Sequence, residues 1–240
     1  MPKRKRGFVN KEIYHIAMRR IGDELLFRDT DDYYRGVFSI YEFNTSKPTE
    51  IYIRRRARTA EKKKVGGPTS HTDEREKLVE VLTFALMPNH IHLLLKQLKD
   101  GGITNFVRKI GSGYPLYFRK KHNQLNKGYF FQGRFTSVHI KSVSQLIAVF
   151  AYIHTNPLSL IEPGWKGGKV KNPRKAIEFL EKKYKWSSYQ DYLGKKNFPS
   201  VTDRDFLLET IGGQERAREI VNDWIKHKKT IKGINEVSLE

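Results

Sequence analysis

The strongest constraint on the fold is a pair of apolar runs, Lys77–Leu86 and His90–Gln97, separated only by Met87-Pro88-Asn89. Each run has the length of a strand and the breaker between them is a turn signal, so the pair predicts a β-hairpin. Other elements fall in order around it. In Glu12–Arg19, Tyr14, Ile16 and Met18 alternate with His15, Ala17 and Arg19, the pattern of a first strand. A helix over Asp31–Phe43 follows, and the charges of Asp29, Asp31 and Asp32 suit its N-terminus. After the hairpin a helical segment runs from Ile103 to His122, where Gly111-Ser112-Gly113 and Pro115 predict a break. Phe130–Ile140 reads as a strand and Val143–Asn156 as a further helix.

The order βα, ββ, αβ and then α predicts an α+β fold: a ferredoxin-like βαββαβ sheet with both connecting helices on one face. The additional helix is the candidate to cover the open face. This main domain spans 8–160, with a basic insertion at about 44–76. Residues 161–240 read as a C-terminal extension, mostly loop, then two short helices near Asp203–Thr210 and Gln214–Lys226. Trp186 and Tyr189, large groups that favour burial, are assigned to packing.

Charge narrows the function. The 240 residues hold 46 Lys+Arg against 26 Asp+Glu, a formal net charge of +20 that predicts a polyanionic partner. Residues 96–141 carry ten Lys/Arg against Asp100 alone, and Arg54–Lys64 carries seven against Glu61. Phe106, Tyr114, Tyr117, Phe118, Tyr129, Phe130 and Phe131 are interleaved with the first set, cations for phosphates beside rings that can stack on bases. The bland alternative is a solvated face over buried rings. With no cysteine, the chain has no disulfide framework, thiol nucleophile or Cys-ligated zinc. No apolar window reaches membrane-spanning length and the basic N-terminus lacks an apolar segment behind it, so the expected location is the cytoplasm, near the nucleoid.

Two places carry chemistry. His90 and His92 flank Ile91 at the start of a strand; i and i+2 share a face about 6.6–6.8 Å apart, so both imidazoles can converge on one cation. A structural use of the pair is the alternative. In the helix from Val143, a turn of about 100° per residue puts Val143, Leu146, Ile147, Phe150 and Ile153 on an apolar stripe. His154 falls in that stripe as a core histidine. Tyr152 lies opposite Val143, with Asn156 one turn on and Gln145 on the same side. Two imidazoles and an amide oxygen leave positions open on a divalent metal, which could polarise a phosphate. The tyrosyl oxygen is then the candidate nucleophile, although its ordinary pKa near 10 demands activation. No general base is evident.

Four motifs in this order, MPNHIHLLL, GYFFQGRF, YIHTNP and WSSYQDYLG, resemble the single-tyrosine transposases of the His-hydrophobe-His endonuclease superfamily, in the IS200-like and REP-associated branch. The resemblance spans Tyr14 to Leu193 without the insertion. It implies Tyr152 as nucleophile and His90, His92 and Asn156 as ligands of Mg²⁺ or Mn²⁺. It further implies cleavage and rejoining of single-stranded or hairpin DNA through a 5′-phosphotyrosine link, in DNA transposition. Arg108, Lys109, Arg119, Lys120 and Arg134 are the candidates for gripping the DNA. Members include monomers and dimers, so a homodimer is compatible with it. Two other readings compete: a non-catalytic, domesticated nucleic-acid-binding module on the same sheet, and a metal-dependent hydrolase in which water attacks. The second lacks an acidic residue near His90 and His92 to serve as base.

Overall fold

A computed structural model describes residues 7–22, 24–48, 75–124 and 128–227. The basic run Arg54–Lys64 lies outside the described residues. Four strands, β1 (Ile13–Arg19), β2 (Val79–Met87), β3 (His90–Gln97) and β4 (Thr136–Ile140), form one sheet in the order β2-β3-β1-β4. All three pairings are antiparallel. That order and the helices α1 (Thr30–Glu42), α2 (Gly102–Lys121) and α3 (Val143–Thr155) give the expected ferredoxin-like βαββαβ arrangement with one added helix.

The alternation of each strand supplies two apolar faces. On the first, Tyr14, Ile16 and Met18 of β1 and Ile91, Leu93 and Leu95 of β3 pack with Val37 and Ile40 of α1 and Ile103, Phe106, Ile110, Tyr114 and Phe118 of α2. Asp29 caps α1, its carboxylate accepting the Asp32 N–H at 3.0 Å. The break expected in α2 does not occur: the helix runs through Gly111, Gly113 and Pro115. A Cβ at Gly113 would stand 2.1 Å from a ring carbon of Phe43, so the glycine is where α2 comes up against the end of α1. The buried stripe from Ile103 to Phe118 holds the helix across the backbone bond that Pro115 forfeits.

The fourth strand is shorter than expected. Residues 130–135 follow the end of β1 with scattered bonds, Phe130 C=O accepting from Ile21 N–H at 3.1 Å and Arg19 C=O from Gln132 N–H at 2.8 Å. Regular pairing begins only at Thr136.

The second face is covered by α3 and by the chain beyond residue 160. Leu82, Ala85 and Leu94 of the sheet share one core with Leu146, Val149, Phe150 and Ile153 of α3 and with Trp165, Tyr189 and Tyr192. Two helices, α4 (Asp205–Ile211) and α5 (Gly213–His227), complete it through Leu207, Ile211, Ala217, Val221 and Trp224. The C-terminal extension is therefore a layer of the same core. It also seals the free edge of β2: Leu86 N–H donates to Trp186 C=O at 2.9 Å and Ser188 N–H to Phe84 C=O at 3.0 Å. Trp186 stacks on Tyr33 at 4.8 Å, the packing role expected of it. Among the described residues no helix is long and apolar enough to cross a membrane.

His154 is the core histidine the pattern predicts, fully buried with Nε2 2.9 Å from Ser188 Oγ. Burial pushes its pKa down to about 3. In the unfolded chain the ring titrates near its ordinary 6.5, so between those values the unfolded state binds the extra proton and acid favours unfolding. The thermal midpoint should hold above pH 7 and fall as pH drops from about 6.5. His154→Gln, which still reaches a hydroxyl but does not titrate, should flatten that fall; identical pH profiles for the two proteins would contradict this.

Candidate functional site

The alternation of β3 turns His90, His92 and Leu94 away from the α1/α2 core and toward α3. Ala17 of β1 and Ala85 of β2 are the cross-strand partners of His92, and these two small neighbours leave its imidazole room. His15, two residues before Ala17, projects from the same face. Helix α3 is anchored at its start by Ser142, whose hydroxyl accepts the Gln145 N–H at 3.2 Å, while Gln145 Oε1 accepts the Lys141 N–H at 2.9 Å. From there the helix carries Tyr152 and Asn156 across the imidazoles.

The apolar stripe expected of α3 is corrected at its first member. Val143 is 56% exposed, whereas Tyr152, expected on a polar face, is 3% exposed. The helix lies between the sheet and the C-terminal layer, so both of its sides are covered after the first turn. Tyr152 thereby meets the histidines: its ring is 5.5 Å from His92 and 6.0 Å from His15, edge-on to both, with Trp165 at 6.3 Å. Its hydroxyl is shielded from solvent. Asn156 ends α3 and begins a tight turn through Asn156–Leu160 that carries Pro157 at its start; the expected helix end shifts by one residue.

The rings of His90 and His92 lie 4.8 Å apart. Burial holds both neutral, His90 at a pKa of about 4 and His92 well below its ordinary value, with the cations Arg19 and Lys166 adding to the effect. A neutral imidazole has one N–H. His90 Nδ1 sits 2.6 Å from Asn89 Oδ1, an acceptor, which places the proton there. His90 Nε2 is then a lone pair facing Asn156 Oδ1 at 3.3 Å, two acceptors turned toward one another. His92 Nε2 and Asn156 Nδ2 are buried with no partner among the described residues. Two imidazole nitrogens and an amide oxygen, with an acceptor–acceptor contact and an orphaned ring nitrogen among them, fit a divalent cation.

Sequence pattern alone misses His15. Its Nε2 lies 3.0 Å from His92 Nδ1, and burial holds its own pKa at about 4. One proton occupies that contact. If it rides on His92 Nδ1, His92 Nε2 presents a lone pair; if it rides on His15 Nε2, His92 Nε2 carries hydrogen and cannot ligate. His15 therefore governs the tautomer of His92. The only signal for it was its place on the alternating face of β1.

Among the described residues the single group of three His, Asp or Glu side chains close enough to share an ion is Asp29, Asp32 and His122. Lys121 already occupies it, 2.5 Å from Asp29 and 3.0 Å from Asp32, and His122 Nε2 is 2.8 Å from Asp32. These ion pairs tie the end of α2 to the start of α1.

His90 and His92 open into a cleft of about 340 Å³ that Arg19, Gln132 and Arg134 also line. Of the five expected DNA-gripping residues, Arg134 stands in this cleft and Arg108 in the groove beside it. Arg119 is nearby, bonded to Gly128 C=O. Lys109 is not with them: its ammonium donates to Thr45 and Lys47 carbonyls beyond the end of α1. Lys120 is exposed on α2 and lines neither space.

The family model described as "Transposase IS200 like" matches residues 53–156, a stretch that holds His90, His92, Tyr152 and Asn156. This match bears out the family read from the four motifs. A solved structure of "the REP associates tyrosine transposase bound to a REP hairpin" is similar, with 15% identity and a TM-score of 0.48, over 85% of this chain and 96% of that one. No curated protein matches the chain.

Substitution of His15 separates control of the His92 tautomer from simple packing. His15→Phe keeps the ring and removes the acceptor, so Mn²⁺ binding measured by calorimetry should weaken about 10–100-fold. His15→Gln, which can still accept the Nδ1 proton, should recover much of it. Wild-type affinity in the Phe variant would show that His15 only fills space.

Proposed function

We propose that this chain, whose residues 53–156 belong with the IS200-like transposases, cuts and rejoins single-stranded DNA in transposition with Tyr152 as nucleophile. The observation that carries the reading is the convergence of Tyr152, His92, His90 and Asn156 from two separate elements onto one covered face of the sheet. Mg²⁺ or Mn²⁺ held by His90, His92 and Asn156 would polarise a non-bridging phosphate oxygen and orient the phosphorus. The donors are neutral and the charged neighbours Arg19 and Lys166 are cationic. The negative charge in such a centre would come from the DNA phosphate itself.

The chain's own part is positioning and one covalent exchange. Arg134 and Arg19, at the mouth of the cleft, hold the backbone by charge and hydrogen bonds. The Tyr152 oxygen forms a bond to phosphorus, the bond from phosphorus to the 3′ oxygen breaks, and that oxygen leaves as a hydroxyl. The phenol gives up one proton and the 3′ oxygen takes one, so the exchange is proton-neutral. One phosphate ester replaces another of similar energy, and the 3′-hydroxyl can reverse the step to reseal a strand. Because the Tyr152 hydroxyl is enclosed, this reading requires the phenol to come free of its cover beside Trp165 before it meets the phosphate. By the motif resemblance, the DNA is single-stranded or a hairpin.

The enclosed hydroxyl also favours a second reading, a non-catalytic nucleic-acid-binding module on the same sheet. Incubating the protein with hairpin DNA and Mn²⁺ separates the two. The wild type should yield cut strands, with chelation of the metal abolishing the cut. Tyr152→Phe should give none while binding the same DNA within about two-fold, since one hydroxyl is lost and the ring stays. Cutting by the Phe variant would overturn the nucleophile assignment; no cutting by the wild type would favour the binding module.

A further inference from the structure

The cleft at His90 and His92 does not end at Arg134. Arg19, Gln132 and Arg134 are shared walls with a second groove of about 420 Å³ between α2 and residues 129–135. Its floor is apolar, with Met18, Val107 and Gly111, where a Cβ would only touch the Met18 methyl at 3.8 Å. Its rim is aromatic: Tyr129 is 88% exposed, and Phe131 and Phe135 are partly so. Arg108 stands on the α2 side and Arg134 in the 129–135 segment, and among the described residues no Asp or Glu lines the groove.

We propose that this groove takes one unstacked nucleobase of the strand whose phosphate lies at His90 and His92. The proposal rests on the DNA-cutting reading for what occupies the neighbouring cleft. An apolar slot edged by rings is the chemistry on which a base stacks, and arginines on both sides suit the phosphates flanking it. A duplex cannot present a base this way, because its bases are paired and stacked. The groove would therefore favour single strands and set the register of the backbone at the cleft. Thr104, Ser112 and Gln132 at the groove supply polar groups that can bond a base edge.

Gly111→Leu tests the assignment without changing charge. Leucine favours helix over glycine, so α2 should persist, and its side chain would fill the floor. Gly111→Ala, whose methyl fits, serves as the folding control. Binding is read in chelator, so no chemistry is required. The probe is a hairpin DNA with single-stranded flanks carrying 2-aminopurine, or an abasic nucleotide, at one flank position at a time.

For the wild type and Gly111→Ala, one flank position should change fluorescence on binding, and its abasic form should bind about ten-fold more weakly. Gly111→Leu should bind the intact DNA about ten-fold more weakly and be indifferent to base removal at that position. Equal affinity of Gly111→Leu and wild type, or losses that simply multiply, would overturn the groove assignment. A protein that cuts DNA yet passes these measurements unchanged refutes the groove alone. One that shows the base effect but never cuts keeps the groove and loses the catalytic reading.

Discussion

The architecture depends on one unusual burial: three imidazoles, a phenol and an amide packed between a sheet face and a helix whose surroundings are largely apolar. Polar groups in such a place must be neutral, bonded to one another or reserved for a ligand. His15, His90 and His92 are all held neutral by burial. His15 is bonded to His92 and Asn89 to His90, while His90 Nε2 and Asn156 Oδ1 face each other as acceptors with no proton between them. His92 Nε2 is left without a partner among the described residues, and the lone pair it presents when the shared proton rides on His92 Nδ1 is where the fold and the proposed chemistry meet.

Helix α3 stays over that cluster because the chain beyond residue 160 holds it there. Trp165, Tyr189, Tyr192, Val221 and Trp224 bury its outer side in the same core that reaches Leu82 and Leu94 of the sheet. Tyr192 also donates to Leu82 C=O at 2.7 Å, tying the C-terminal layer directly to β2. Loosening that layer would free α3, and with it the phenol and the amide. In the proposed reaction the strand would be held elsewhere, on the α2 side, where Arg19 and Arg134 line both the cleft and the aromatic groove. Under that proposal, positioning of the reacting groups and capture of the strand would come from different layers, joined by the end of β1.

Much of this is legible in the residues because strand alternation is local. The hairpin, the shared face of His90 and His92, and the core side of Ile91, Leu93 and Leu95 follow from a two-residue period. What is not legible depends on pairing between distant segments. His15 joins the site only because Ala17 stands opposite His92, a register that β1 alone does not disclose. The glycines and Pro115 of α2 signal a break, yet packing against Phe43 makes Gly113 a contact point. Val143 looks apolar enough for the core and is exposed, since the C-terminal layer covers the opposite reach of α3. Lys109 has the charge to hold DNA, but its ammonium is taken by two carbonyls.

The proposed reaction turns on one bond, from the Tyr152 oxygen to a DNA phosphorus. Peptide mapping by mass spectrometry after reaction with hairpin DNA and Mn²⁺ addresses it most directly. A nucleotide-phosphate mass is expected on the peptide that contains Tyr152 and on no other. The same mass on a peptide bearing a different tyrosine, or cleaved strands with every peptide unmodified, would contradict it.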